Sequence, residues 1–105
     1  MKVALKDIAN VIRSKNAGPF ELTLDILLKD AETFEKVKNA NIINQEVIAR
    51  LYRIPVEDVL SIVYFPNANA IKSTIVRPLP SGAMGERDVY GAQQHAPLVN
   101  FSFEL

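Results

Sequence analysis

Residues 20–28 have the sequence FELTLDILL, in which apolar and polar side chains alternate. One face of this stretch is entirely apolar and carries Phe20, Leu22, Leu24, Ile26 and Leu28. The opposite face carries Glu21, Thr23 and Asp25. A period of two is typical of a half-buried β-strand with a solvated polar face. We therefore predict a strand here and place the other elements around it.

The segment before this strand has the spacing of a helix from about Leu5 to Ser14. Its apolar side chains would share one face, and they are Leu5, Ile8, Val11 and Ile12. Gly18 and Pro19 follow, and glycine with a nearby proline is a common end of a helix. We therefore predict a helix that ends beside Ser14, Lys15 and Asn16.

Two further helices are predicted after the strand. Asp30 is suited to cap a helix that runs to about Ala40, because its side-chain oxygen can accept from orphan backbone N–H groups. Asn44 is suited to cap a second helix, which Pro55 ends. A short turn over Val56 to Asp58 would follow.

The remaining segments favour strands. Val59 to Phe65 is apolar at nearly every position, which indicates a central strand covered on both faces. A turn over Pro66 to Asn69 would lead to the returning strand, Ile71 to Arg77. The alternation from Leu98 to Leu105 predicts a last strand. Between them, residues 80–97 form a long connection, and connections of this length often carry function.

This order of elements predicts the α+β class, as a two-layer sandwich of a mostly antiparallel sheet with helices on one face. The chain has 105 residues, of which 49% are hydrophobic, so we expect a single domain, residues 1–105. No domain boundary or internal repeat is evident.

Charge and composition exclude several classes of function. Twelve Lys and Arg residues balance twelve Asp and Glu residues, and no basic stripe is present, so we expect no nucleic-acid partner. No cysteine is present, which rules out disulfides and thiolate metal sites. No signal peptide or membrane span is evident, so a cytoplasmic location and no membrane partner are expected. The chain has one histidine and no cysteine, so no metal is expected, and no cofactor is expected either.

Two polar clusters are candidates for a site. Thr23 and Asp25 lie side by side on the polar strand face, and paired carboxylates such as Asp25 and Glu21 can do acid–base work. The alternative is an ordinary solvated sheet face. Ser14, Lys15 and Asn16 would form a polar corner for a carboxylate, unless they only end the helix.

The long connection supplies the third candidate cluster. His95 is the one side chain with an ordinary pKa near neutrality, and it either has a direct role or is a loop histidine with local hydrogen bonds. Tyr90 and Gln93 lie near it in sequence, with Asp88 and Gln94. If this connection folds back over the first strand, the clusters converge.

Three segments together resemble a known family. They are residues 13–20 (RSKNAGPF), 23–26 (TLDI) and 88–97 (DVYGAQQHAP). They are similar to the hallmark segments of a family of small uncharacterised proteins, a domain of unknown function that accompanies acyclic terpene utilisation (AtuA-type) proteins. The resemblance covers nearly the whole chain.

The resemblance implies a small partner of a large AtuA-type protein in the catabolism of carboxylic acids and acyl-CoA esters, with a hydratase or lyase reaction named first. It also implies a variant of the ferredoxin-like fold. On this interpretation Lys15 pairs with a carboxylate, Asp25 or His95 moves a proton, and the remaining site residues bind or orient, namely Ser14, Asn16, Thr23, Tyr90 and Gln93. The alternatives are a stand-alone homo-oligomeric enzyme and a non-catalytic protein-binding module.

Overall fold

The computed structural model describes residues 1–18, 20–76 and 96–105. In these ranges the strands are β1 (Lys2–Ala4), β2 (Ala9–Asn16), β3 (Glu21–Leu28), β4 (Val59–Phe65), β5 (Ala70–Val76) and β6 (Ser102–Glu104). The helices are α1 (Leu5–Ile8), α2 (Ala31–Asn39), α3 (Gln45–Tyr52) and α4 (Ala96–Val99). Single turns of 3-10 helix cover Val56–Asp58 and Pro66–Ala68. No helix in these ranges is long and apolar enough to cross a membrane.

The strands form two antiparallel sheets, which confirms the predicted α+β class. The larger sheet has the order β2-β3-β5-β4, and the smaller one joins β1 to β6. The predicted strand at residues 20–28 is confirmed as β3, and it lies inside the larger sheet between β2 and β5. Two β-hairpins thus flank a pair of consecutive helices, an order that departs from a plain ferredoxin repeat.

One face of the larger sheet packs against α2 and α3. The alternation in β3 places Leu22, Leu24, Ile26 and Leu28 in the core, as predicted. The helices contribute Phe34 and Val37 from α2 and Ile48, Ala49 and Tyr52 from α3. Burial raises the pKa of the Tyr52 hydroxyl above its ordinary value. The opposite face of the sheet, which we call the outer face, carries the alternate residues of each strand.

Both predicted helix caps are present. The Asp30 carboxylate accepts from the Thr33 backbone N–H at 2.7 Å, and the Asn44 side chain accepts from the Val47 N–H at 2.9 Å. The hydrogen bonds with Thr33 hold the pKa of Asp30 below its ordinary value. These local contacts fix where α2 and α3 begin, because each cap satisfies an orphan donor of the first turn.

The predicted first helix is wrong beyond its first turn. Helix α1 ends at Ile8, and residues 9–16 form β2. Val11 and Ile12 are β-branched and suit a strand, and the ladder to β3 satisfies backbone groups on both strands. Gly18 does adopt a positive φ of 101°, but in the hairpin between β2 and β3 and not at a helix end.

Two strand predictions also need correction. β4 exists as predicted but lies at the edge of the sheet, with Leu60 47% exposed, because β5 lies between β3 and β4. An apolar run does not distinguish an edge strand from a central one. The last strand, predicted from Leu98 to Leu105, is shorter than expected. Leu98 and Val99 belong to α4, which places Leu98 in the core, and only Ser102–Glu104 pairs as a strand.

Candidate functional site

The outer face of the larger sheet brings charged side chains together in rows. Residues directly opposite in a ladder share a face of the sheet. Asp25 of β3 lies opposite Arg13 of β2 on one side and Lys72 of β5 on the other. One step along, Thr23 lies between Lys15 and Thr74. The register therefore places cations on both sides of the polar face of β3.

These rows line a shallow concavity of about 370 Å³, which we call the outer-face cavity. Its lining combines charged, hydroxyl and apolar groups, which are Arg13, Lys15, Thr23, Asp25, Leu27, Phe65, Ala68, Ala70 and Lys72. The volume lies near the lower end of the range of small-molecule sites. Lys15, Thr23 and Asp25, which the sequence predicted to form a site, thus lie at one place.

The charges of this cavity are unbalanced. The Arg13 guanidinium donates from Nε to Asp25 Oδ2 at 3.0 Å. Such a partly exposed pair contributes at most about 1 kcal/mol to stability, but it engages one oxygen of the carboxylate. Lys15 and Lys72 make no ion pair within the described ranges. Three cations against one carboxylate give the described residues of the lining a net charge of +2.

Thr23 is the most enclosed polar residue of the cavity. It is only 8% exposed although it lies on the outer face. Its hydroxyl makes no hydrogen bond to any residue that the structure describes. A hydroxyl that is buried and has no partner in the described part of the chain gains more from a bond to a ligand atom than an exposed hydroxyl does.

Ser14 and Asn16 do not lie in this cavity. They alternate with Arg13 and Lys15 along β2 and lie opposite Leu24 and Leu22, on the core face of the sheet. Ser14 is accordingly buried. The predicted polar corner of Ser14, Lys15 and Asn16 at a helix end is wrong, because a strand sends successive side chains to opposite faces.

The remaining predicted residues, Tyr90, Gln93 and His95, lie outside the described residues, as do Asp88 and Gln94. Their convergence with the outer face, and the proton-transfer role of His95, stay predictions. Asp25 is positioned to accept hydrogen bonds in the cavity, but its predicted role in moving a proton also stays a prediction.

Sequence reasoning missed Lys72 and the apolar part of the cavity. Lys72 reaches the site because β5 pairs with β3, a contact between segments far apart in the chain. The alternation of Ala70, Lys72 and Thr74 against buried Ile71 was a usable signal. Knowing that β5 neighbours β3 would have added Lys72 to the cluster.

Three other concavities that the described residues line lack a comparable cluster of charged groups. A shallow concavity beside Asn44, Gln45 and Tyr64 is lined by amide and hydroxyl groups that already make hydrogen bonds within the protein. Gln45 donates to the Val59 carbonyl at 3.1 Å, and the Tyr64 hydroxyl donates to the Ile43 carbonyl at 2.8 Å. Within the described ranges no group of three or more His, Asp or Glu side chains is arranged to hold a metal ion.

Comparison with known proteins gives one match. The model of a family described as Domain of unknown function (DUF4387) matches residues 5–102. Neither a curated protein nor a solved structure matches the chain. The matched range includes every residue of the outer-face cavity. This chain belongs to the Domain of unknown function (DUF4387) family.

Proposed function

We propose that the outer-face cavity binds the carboxylate group of a small organic acid, and that the domain serves as a small accessory subunit in the metabolism of such acids or their acyl-CoA esters. The observation that carries this proposal is the net charge of +2 in a cavity that also contains the enclosed Thr23 hydroxyl. Anions bind where several donors with positive charge converge.

The arrangement of donors suits a carboxylate. Lys15 and Lys72 come from the two strands that flank β3 and are offset by two residues, so their backbones lie about 12 Å apart across the sheet. Lysine is a point charge on a flexible stem, and two of them can approach one group from opposite sides. Arg13 is held by Asp25. The two lysines therefore supply the charge, and Thr23, directly opposite Lys15, supplies a short-range hydrogen bond.

The test is a titration of the ¹⁵N-labelled domain with sodium acetate, against sodium chloride at equal ionic strength. We expect acetate-specific shifts of the backbone amides of Lys15, Thr23 and Lys72, and none in α2. Lys15→Ala should weaken the binding about tenfold, since a charge-assisted hydrogen bond contributes roughly 1.5–3 kcal/mol. Lys38→Ala, on α2, is the matched control and should bind as the parent does. Shifts that acetate and chloride produce equally would contradict the proposal.

The identity of the larger assembly is a second step of the proposal. The resemblance of residues 13–20, 23–26 and 88–97 to the companions of AtuA-type proteins supports a large AtuA-type subunit as the partner, with a hydratase or lyase reaction. Lys15, Asp25 and His95 are the side chains proposed to act in that complex.

Affinity purification of the tagged chain from its native host at low salt tests this step. A stoichiometric AtuA-type protein, identified by mass spectrometry, is the expected result. Recovery of the chain alone at native abundance would contradict it and favour the stand-alone enzyme.

The edge strand β4 favours the alternative of a protein-binding module or a homo-oligomer. It has no charged residue, and Leu60, Val63 and Phe65 are exposed. Natural proteins usually protect edge strands with charges or bulges. The bulge between Val59 and Ser61 protects only the start of β4. Size-exclusion chromatography with light scattering distinguishes a homo-oligomer from a monomer that needs another protein.

A further inference from the structure

We propose that the acid bound in the outer-face cavity carries an aliphatic chain, which lies over Leu27, Ala70 and Phe65 beside the cations. This inference rests on the proposed binding of a carboxylate and adds the chemical class of the rest of the ligand. It follows from a second row of side chains that crosses the same face of the sheet.

The ladder registers define this apolar row. Leu27 of β3 lies opposite Val11 of β2 and Ala70 of β5, and Ala70 lies opposite Phe65 of β4. The row therefore crosses all four strands without a polar residue. Leu27, Ala70 and Phe65 also line the cavity, together with Ala68 of the turn after β4.

The apolar row lies immediately beside the charged row. Leu27 follows Asp25 by two residues on the same face, which is about 7 Å along the strand. The carboxylate contacts Thr23, which lies four residues from Leu27, about 14 Å along the strand. A chain of about six carbons would therefore extend past Asp25 toward Leu27 and Phe65. A ligand with a charged head and an apolar chain matches both rows at once.

The apolar row is unusual for a solvated face. In an antiparallel sheet with one face packed on the core, the other face is ordinarily polar. Phe65 is 44% exposed, and Leu27 is only partly buried. Covering such side chains is favourable by about 0.8 kcal/mol for each buried methylene of the ligand. A ligand that consisted of a carboxylate group alone would leave Phe65 and Leu27 exposed to water.

Binding of unbranched monocarboxylates of increasing length tests the inference. Affinities of acetate, butyrate and hexanoate are measured on the full chain by the amide shifts described above. We expect affinity to rise about two- to fourfold for each added methylene that reaches the apolar row, the upper value corresponding to full burial. The readout is the ratio of hexanoate to acetate affinity.

Substitutions in the apolar row test whether its side chains cause the higher affinity for hexanoate than for acetate. Phe65→Ala and, independently, Leu27→Ala should bring the ratio down several-fold toward one. Leu60→Ala removes an apolar side chain that is 47% exposed on the same strand but does not line the cavity, so its ratio should stay at the parent value. Denaturation curves confirm that each variant is folded at the temperature used.

The two proposals fail in distinguishable ways. Absence of acetate-specific shifts at Lys15 and Lys72 would overturn the carboxylate site, and the inference with it. Acetate binding with a ratio near one would overturn only the aliphatic chain. Equal binding of hexanol and hexanoate would also overturn the inference as stated, since the chain would then bind without its charged head.

Discussion

Replacing Phe34 with alanine is expected to lower the free energy of unfolding by about 3–5 kcal/mol. Phe34 is 1% exposed and belongs to the core between α2 and the sheet. Its ring meets that of Tyr64 edge to face, with centroids 6.2 Å apart, so the substitution also removes an aromatic contact between α2 and β4. Urea denaturation followed by circular dichroism measures the change.

Phe20→Ala is the matched control, because it deletes the same atoms at a position that is 63% exposed. Substitutions at exposed positions usually change stability by no more than about 0.5 kcal/mol. The sequence predicted Phe20 on the buried face of β3, but β3 begins at Glu21, and Phe20 lies in the preceding turn. Equal losses of unfolding free energy in Phe34→Ala and Phe20→Ala would contradict a buried Phe34 and an exposed Phe20.

Sequence patterns correctly predicted the elements that depend on residues close together in the chain. The alternation of β3 and the caps at Asp30 and Asn44 depend on neighbours within a few residues, and each is present in the structure. The helix predicted for the first segment is wrong beyond Ile8 because it was inferred only from the spacing of its apolar residues, Leu5, Ile8, Val11 and Ile12. The pairing of residues 9–16 with β3 overrides that spacing.

The candidate site was predicted in part for the same reason. Lys15, Thr23 and Asp25 lie close together because they come from one hairpin, whose two strands are adjacent in the sequence. Ser14 and Asn16 were misplaced because the type of element decides which neighbours share a face. Lys72 and Phe65 depend on the strand order β3-β5-β4, which no local pattern in the sequence specifies.

The unequal distribution of charge on the outer face is informative because the chain as a whole is neutral. Three cations surround one carboxylate in a single cavity of a neutral protein, so this cavity has a local excess of positive charge that the overall composition does not reveal. The formal balance of the chain and the dispersion of its cations along the sequence are the reasons why we expect no nucleic-acid partner. Neither argues against a small cationic site.

Reversing the charge at Lys15 is expected to reduce the affinity for acetate by at least about tenfold, and up to roughly a hundredfold. Lys15→Glu removes one attractive charge and adds a repulsive one, which brings the net charge of the cavity lining from +2 to zero. Thr23, the residue directly opposite, is uncharged, so the change creates no directly opposed like-charge pair, although Glu21 and Asp25 become diagonal like-charge neighbours. The fold should therefore persist, and the amide shifts measure the loss.

Lys38→Glu changes the charge of the whole chain by the same amount but at an exposed position on α2, on the other side of the core. Exposed charges are screened beyond about 10 Å at 0.1 M salt, so this control should bind acetate nearly as the parent does. Equal losses in both variants would mean that acetate responds to overall charge and that no localised site exists. A loss confined to Lys15→Glu, together with an unchanged unfolding midpoint, would assign the binding to the outer face of the sheet.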